Sequence, residues 1–285
     1  MSYRIITDNC CDFPADMYKE LNLAVVPLVV RFQKEEISQY SEKWLKKMYA
    51  GLRAGEEATT SAVNPQAWAS LMEQSLKDGK DVLCLTFSSG LSTTHQSAVI
   101  AAEELREQYP QRKIFVVDTL CAALGQGLLV WYACKKRDEG LSLEELYDWV
   151  EQHKLNICHW VTIDDLGHLK RGGRVSAATA LVGGMLNIKP IIIMDNDGKL
   201  ATVGKCRGRK TAMEHLVRKL CEDGTDVETV FIAHGDCPED AAALEKLCRE
   251  KCPGVKNVLT GYVGGVIGAH TGPGVLVVFF MGKHR

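Results

Sequence analysis

No apolar run in this chain approaches the roughly 20 residues needed to span a bilayer, so the sequence reads as a protein that does not cross a membrane. It also lacks an excess of either charge. With 34 basic and 36 acidic residues the formal net charge is −2, too weak a field to draw the whole molecule to nucleic acid or to an anionic membrane. No run of aromatics accompanies a basic stretch, which removes the usual composition of a nucleic-acid-binding domain. A G-x-x-x-x-G-K-[ST] loop and a G-x-S-x-G elbow are both missing, so the chain carries neither a phosphate-cradling kinase loop nor a strained serine nucleophile. Internal repeats and low-complexity linkers are absent as well, and the parts of the chain are expected to pack closely.

What is present is a chain of 285 residues, 46% hydrophobic and 25% charged, long enough for one large domain or two ordinary ones around a sizeable core. Eleven cysteines in a short secreted domain would suggest a disulfide framework. Here they are scattered, and the opening MSYRIITD has no apolar signal segment. They read as reduced thiols of a cytoplasmic protein, most of them serving as small buried hydrophobes. Cys248 and Cys252, four apart on an expected helix, could join two further ligands around zinc, but no second compact Cys or His pair accompanies them. No metal or cofactor is expected.

The first half alternates short β-branched runs with amphipathic stretches. Strands are expected at Arg4 to Thr7, Val25 to Val30, Asp81 to Phe87 and Ile114 to Val117, and several are apolar on both faces, the mark of a parallel sheet covered on both sides. Asn64 before Pro65 signals a helix start, with the helix running to about Lys77. Ser92 opens another whose Ala98, Ala101, Ala102 and Leu105 share a face, and Cys121 to Arg137 makes a third. After a polar amphipathic helix between Gly140 and His153 the pattern changes, which places a domain boundary near 153: residues 1–153 and 154–285. In the second part a strand at Ile157 to Thr162 leads into two short helical pieces around Lys170 to Arg174. Pro190 to Met194 and Leu200 to Cys206 flank an Asp-Asn-Asp-Gly turn as a hairpin. Helices near Arg209 to Glu222 and Glu239 to Lys251 then alternate with strands at Thr229 to Ala233, Val258 to Val263 and Val275 to Phe280.

Chemistry concentrates in a few loops. In Leu85 to Thr94 an apolar strand stops at a hydroxyl-rich turn, Ser88-Ser89-Gly90-Leu91-Ser92-Thr93, and a helix begins. Free amides and hydroxyls there suit a carboxylate or phosphate; equally, Ser92 could simply cap its helix while Ser88 and Ser89 turn the chain. Thr59-Thr60-Ser61 forms a second hydroxyl cluster ahead of a helix, and two such entrances at strand ends can converge on one ligand. Thr7 to Asp12 follows a strand directly, as a site or as turn and capping groups. Near the C-terminus, Gly264 to Gly274 holds five glycines around His270, which could hold an anionic head group, act as a base or sit satisfied in a seam. Lys170 to Arg174 and Lys205 to Lys210 are basic clusters interrupted by glycine, suited to phosphate, to an acidic partner surface or merely to solvent.

Seven segments in register resemble the DegV family across essentially the whole chain: TDNCCDFP (7–14), TTSAVNP (59–65), FSSGLSTTHQSA (87–98), VVDTLCAALGQGLLV (116–130), DDLGHLKRGGR (164–174), LNIKPI (186–191) and GAHTGPG (268–274). The resemblance implies an α/β protein of two domains, an N-terminal parallel-sheet, Rossmann-like domain and a C-terminal mixed α/β domain, with a long-chain fatty acid between them. It further implies a non-enzymatic carrier that presents the carboxylate to a separate ATP-dependent fatty acid kinase for acyl phosphate formation, with at most transient membrane contact. Carried over by position, the head-group candidates are Thr60, Ser61, Ser89, Gly90, Ser92, Thr93 and His270, and the kinase-docking candidates are Arg174, Arg207 and Arg209. The chain departs from the family pattern at Asn9 and Cys10, where a hydroxyl residue is common, and at Thr93, where glycine is. Two rival readings stay open: an acyl hydrolase or acyltransferase using Ser89 or Ser92 with His270 and Asp118, and a lipid-sensing interaction protein.

Overall fold

The computed structural model describes residues 2–174 and 187–285. Strands β1 (Tyr3–Asp8) and β2 (Ala24–Val26) are joined through a 3-10 turn at Asn9–Cys11 and helix α1 (Ala15–Glu20). Val25 to Val30, expected as one strand, is two. Pro27 lacks an N–H for a ladder, and β2 ends before it while β3 (Val29–Phe32) enters a different sheet. The Asn9 side chain bridges this gap: its Oδ1 accepts from Leu28 N at 2.9 Å and its Nδ2 donates to Leu28 O at 3.0 Å. This departure from the family pattern therefore serves the backbone. Strand β3 pairs antiparallel with β4 (Glu35–Ile37) and, after helix α2 (Glu42–Arg53), with β5 (Ala58–Ser61).

Helix α3 (Pro65–Lys77) starts on the expected cap, Asn64 Oδ1 accepting from Ala67 N at 2.9 Å. Strand β6 (Asp81–Thr86), helix α4 (Thr94–Gln108) and strand β7 (Ile114–Asp118) complete a four-stranded sheet, ordered β2-β1-β6-β7 and parallel throughout. Its two faces separate by alternation. Ile6, Val82 and Cys84 pack with Trp68 and Met72 of α3 and Ala98 and Ala101 of α4. Ile5, Leu83 and Leu85 pack on the other side with Leu124 and Leu128 of α5 (Ala123–Asp138) and Leu146 and Val150 of α6 (Leu143–His153).

The second large sheet is mixed, ordered β10-β9-β8-β13-β11-β12. Its members are β8 (Ile157–Thr162), β9 (Ile188–Met194), β10 (Leu200–Arg207), β11 (Gly224–His234), β12 (Asn257–Tyr262) and β13 (Leu276–Gly282), and β9 and β10 form the expected hairpin. Around it lie α7 (Gly167–Gly172), α8 (Arg209–Asp223), α9 (Pro238–Lys251) and α10 (Gly265–Thr271). The second helical piece expected after Arg174 lies outside the described residues. Helices α8 and α9 cover one face with Leu216, Leu220 and Leu244. The other face offers Val161, Phe231, Val277 and Phe279 to α5, which is thus buried between the two large sheets. Two glycines permit this. A Cβ on Gly125 would stand 2.2 Å from His159 Nε2, and one on Gly127 2.7 Å from Cys11 O.

A parallel four-stranded sheet with a mixed six-stranded sheet makes this a mixed α/β fold, as expected. The cysteine expectation needs correction at one point: Cys221 near the end of α8 is disulfide-bonded to Cys252 just past α9, because those two helix ends pack together. The other nine cysteines are free thiols. Cys252 is thereby withdrawn from the pairing with Cys248 considered for zinc. Among the described residues no helix is long and apolar enough to cross a membrane.

Candidate functional site

The two hydroxyl-rich loops meet. Helix α4 begins at Thr94, two residues later than a Ser92 start would give, and Ser92 Oγ accepts from Thr94 N at 3.2 Å while pairing with Thr94 Oγ1 at 2.9 Å. Thr94 Oγ1 in turn lies 3.4 Å from Val63 N, tying this loop to the segment after β5. Ser88 is fully buried and donates to Gly198 O in the hairpin turn at 2.7 Å. Gly90 sits so close to that turn that a Cβ would be 2.5 Å from Gly198 O. Asp118 accepts from Ser89 N and Leu120 N, both at 3.1 Å, and so shapes the loop.

Beside these loops lies a cavity of about 310 Å³, within the usual size range of small-molecule sites. Leu28, Phe87, Leu91, Leu200, Val266 and Ile267 supply its oily surface, and Thr60, Ser89, Ser92, Thr93, Arg174 and His270 its polar groups. Five of the seven head-group candidates therefore come together. Ser61 and Gly90 are not part of this lining. Along β5 successive side chains point to opposite faces; Thr60 and Ala62 line the cavity, and Ser61 between them does not. Gly90 serves the close approach of the hairpin turn.

His270 reaches the site on α10, held against α2 and α7. Tyr49 Oη donates to Val263 O at 2.8 Å just ahead of α10, and Asp12 Oδ2 accepts from Gly264 N at 2.9 Å. A Cβ on Gly172 would lie 2.7 Å from His270 Nδ1, so glycine in the family motif makes room for the imidazole. Its Nε2 pairs with Thr60 Oγ1 at 2.8 Å. Burial, reinforced by the Arg174 charge, pushes the His270 pKa down to about 4, so the ring is neutral at physiological pH. Asp118 accepts from backbone N–H groups of the Ser89 loop and His270 pairs with Thr60, so among the described residues the side chains of Asp118, His270 and Ser89 or Ser92 are not hydrogen-bonded into the relay considered from the sequence.

Asp8 is buried at the end of β1, its carboxyl pushed up to about 6 by burial and partly restored by bonds from Phe87 N at 2.7 Å, Cys10 N at 3.0 Å and Gln126 Nε2 at 3.1 Å. It orders the strand-end loops from behind. The three arginines grouped by sequence occupy different settings. Arg174 lines the cavity, Arg207 is exposed on edge strand β10, and Arg209 is largely buried, bonded to Asp240 at 2.8 Å with Asp164 at 3.9 Å. Among the described residues no group of three or more His, Cys, Asp or Glu could hold a metal.

A family model described as "Uncharacterised protein, DegV family" matches residues 2–283. The chain belongs to the DegV family. A DegV domain-containing protein of Clostridium perfringens is 43% identical over 285 residues, covering 99% of this chain and 98% of that protein. Among solved structures, a DegV family protein from Thermus thermophilus, described for its fatty acid binding, superposes with a TM-score of 0.88 at 31% identity, covering 98% of this chain and 99% of that one. DegV of Bacillus subtilis, described as a fatty acid binding protein, gives 0.83 at 29% identity over 99% and 100% of the two chains. The segments that carry the resemblance reach this site: TTSAVNP contributes Thr60, FSSGLSTTHQSA contributes Phe87, Ser89, Leu91, Ser92 and Thr93, and GAHTGPG contributes His270. The oily lining residues Leu28, Leu200 and Val266 carried no such signal, since they come from three distant elements and meet only on folding.

Proposed function

We propose that this DegV protein holds one long-chain fatty acid in the cavity, between two domains divided near residue 153, and offers its carboxylate to a separate ATP-dependent kinase. The observation carrying this reading is a space that combines aliphatic and aromatic walls with the Thr60–His270 pair. Withdrawing about 15 methylenes from water is worth roughly 12 kcal/mol gross, before ordering costs. The tail supplies affinity. The carboxylate must instead find donors, because a charge taken from water without partners is costly. With its proton on Nε2, His270 donates to Thr60 Oγ1, which leaves the Thr60 hydroxyl hydrogen for the ligand; Ser89, Ser92 and Thr93 complete the donor set. His270 is thus a positioning residue.

In the coupled reaction a carboxylate oxygen attacks the γ-phosphorus of ATP, ADP leaves, and the acyl phosphate remains on the carrier. Purified protein, denatured and extracted, should yield about one fatty acid per chain by mass spectrometry. Protein that is consistently empty and takes up no added fatty acid would refute the reading; turnover of activated acyl esters would replace it with a hydrolase.

A further inference from the structure

Arg285, just past β13, is not part of the cavity lining, yet its guanidinium gathers three separate stretches of backbone. Its Nη1 donates to Leu120 O at 2.7 Å and to Asp195 O at 3.0 Å. Its Nη2 donates to Lys154 O at 2.7 Å and to Cys121 Sγ at 3.0 Å, and lies 3.4 Å from Thr119 O. No other side chain carries enough N–H donors in one plane for so many acceptors. The loop between β7 and α5 needs such a hold. Leu120 at φ 54° and Ala123 at φ 53° both occupy the left-handed region, which any residue with a Cβ disfavours.

Two of these stretches bear on the polar end of the cavity. From the loop, Cys121 O accepts from Ser88 N at 3.2 Å, and Asp118 Oδ1 accepts from Ser89 N and Leu120 N, both at 3.1 Å. From the β9–β10 turn, Asp195 O accepts from Gly198 N at 3.0 Å as well as from Arg285, and Gly198 O accepts from Ser88 Oγ at 2.7 Å. The two sides meet: a Cβ on Gly198 would lie 2.2 Å from Ser88 Oγ and 2.9 Å from Leu120 Cδ2. Ser88 is thus gripped between loop and turn, and its own carbonyl accepts from Leu91 N at 3.1 Å and Ser92 N at 3.2 Å. The placing of Ser88 therefore sets that of Ser89 and Ser92, which line the cavity. Resting on the fatty-acid reading above, we propose that Arg285 is a positioning residue for the carboxylate. Its guanidinium locks the loop and the turn around Ser88, and that lock aims the Ser89 and Ser92 donors at the head group while Arg285 itself touches no ligand. A brace serving the fold alone would loosen tail and head group alike; this one acts on the head group.

The test uses the full chain, stripped of lipid, and the displacement of a fluorescent fatty acid by two competitors with the same tail, hexadecanoate and hexadecanol. Arg285→Ala should weaken hexadecanoate by about fivefold or more and hexadecanol by less than about twofold, because the charged head group depends most on a full set of aimed donors. The retained hexadecanol affinity shows that the variant is folded. Arg285→Lys keeps the charge without the fork and should fall between wild type and Arg285→Ala. If the alanine variant does not fold, the lysine variant carries the same comparison. Equal weakening of both competitors, or hexadecanoate affinity indifferent to the substitution, overturns the positioning role. Wild type that binds neither competitor overturns the fatty-acid reading instead.

Discussion

Thr60 on β5 and His270 on α10 are hydrogen-bonded, Oγ1 to Nε2 at 2.8 Å, across 210 positions of sequence. Both residues line the oily cavity, and the bond turns two separately suggestive residues into one device. If His270 acts through Thr60, Thr60→Val should weaken fatty acid binding by about 1 to 3 kcal/mol, the scale of a lost hydrogen bond to a charged group. Adding His270→Phe should then cost little more, because coupled residues do not add. Competition binding with a fluorescent fatty acid measures all three variants. Additive losses would mean that His270 touches the ligand independently.

Much of the scaffold was legible because its signals are local. Helix α3 declares itself by Asn64 and Pro65, and the β9–β10 hairpin by its Asp-Gly turn. Helix α2 carries an equally local signal in Ser41 and the spacing of Leu45, Met48, Tyr49 and Leu52, all four buried, and the expectations drawn from the sequence passed over it. Helix α10 is a different case. Glycine is a poor helix former, and Gly264 to Gly268 reads as a loop until Tyr49 and Asp12, from far earlier in the chain, fix its start. Part of the oily lining was illegible for the same reason: Leu28, Leu200 and Val266 share no pattern, only a place.

His159 sets a pH limit on the fold. It is buried on β8, accepting from Ala122 N at 3.2 Å through Nε2 and donating to Ile157 O at 3.0 Å through Nδ1, so protonation of Nε2 would break a bond that positions α5. Burial, with the Arg285 charge, pushes its pKa down to about 3 from an ordinary 6.5. Since the folded value lies below the unfolded one, the unfolded chain takes up the proton first. The stabilisation is complete above about pH 6.5 and is lost as pH falls from there toward 3, at up to about 1.4 kcal/mol per pH unit. His270 acts in the same direction between 6.5 and about 4. Urea melts from pH 7 to 4 should show wild type losing stability and His159→Gln, which keeps an acceptor for Ala122 N, losing less. Parallel curves would remove His159 as the cause.

Arg207 and Arg209, adjacent in one basic cluster, should behave oppositely when truncated. Arg209 is fixed by Asp240 at 2.8 Å with Asp164 at 3.9 Å, its side chain only 16% exposed. Lys189 also holds Asp164 at 2.6 Å, so removing Arg209 leaves that carboxylate partly compensated. Arg209→Ala should therefore lower unfolding stability by about 1 to 2 kcal/mol, above the median for exposed pairs and below that for buried ones. Arg207 projects from the exposed side of an edge strand, and Arg207→Ala should stay within about 0.5 kcal/mol of wild type. If a kinase docks on β10, Arg207→Ala should slow acyl phosphate formation with fatty acid affinity unchanged. The separation matters because a loss of coupled activity in Arg209→Ala alone would report a weakened fold and would say nothing about docking. Equal stability of the two variants by urea denaturation would contradict this division.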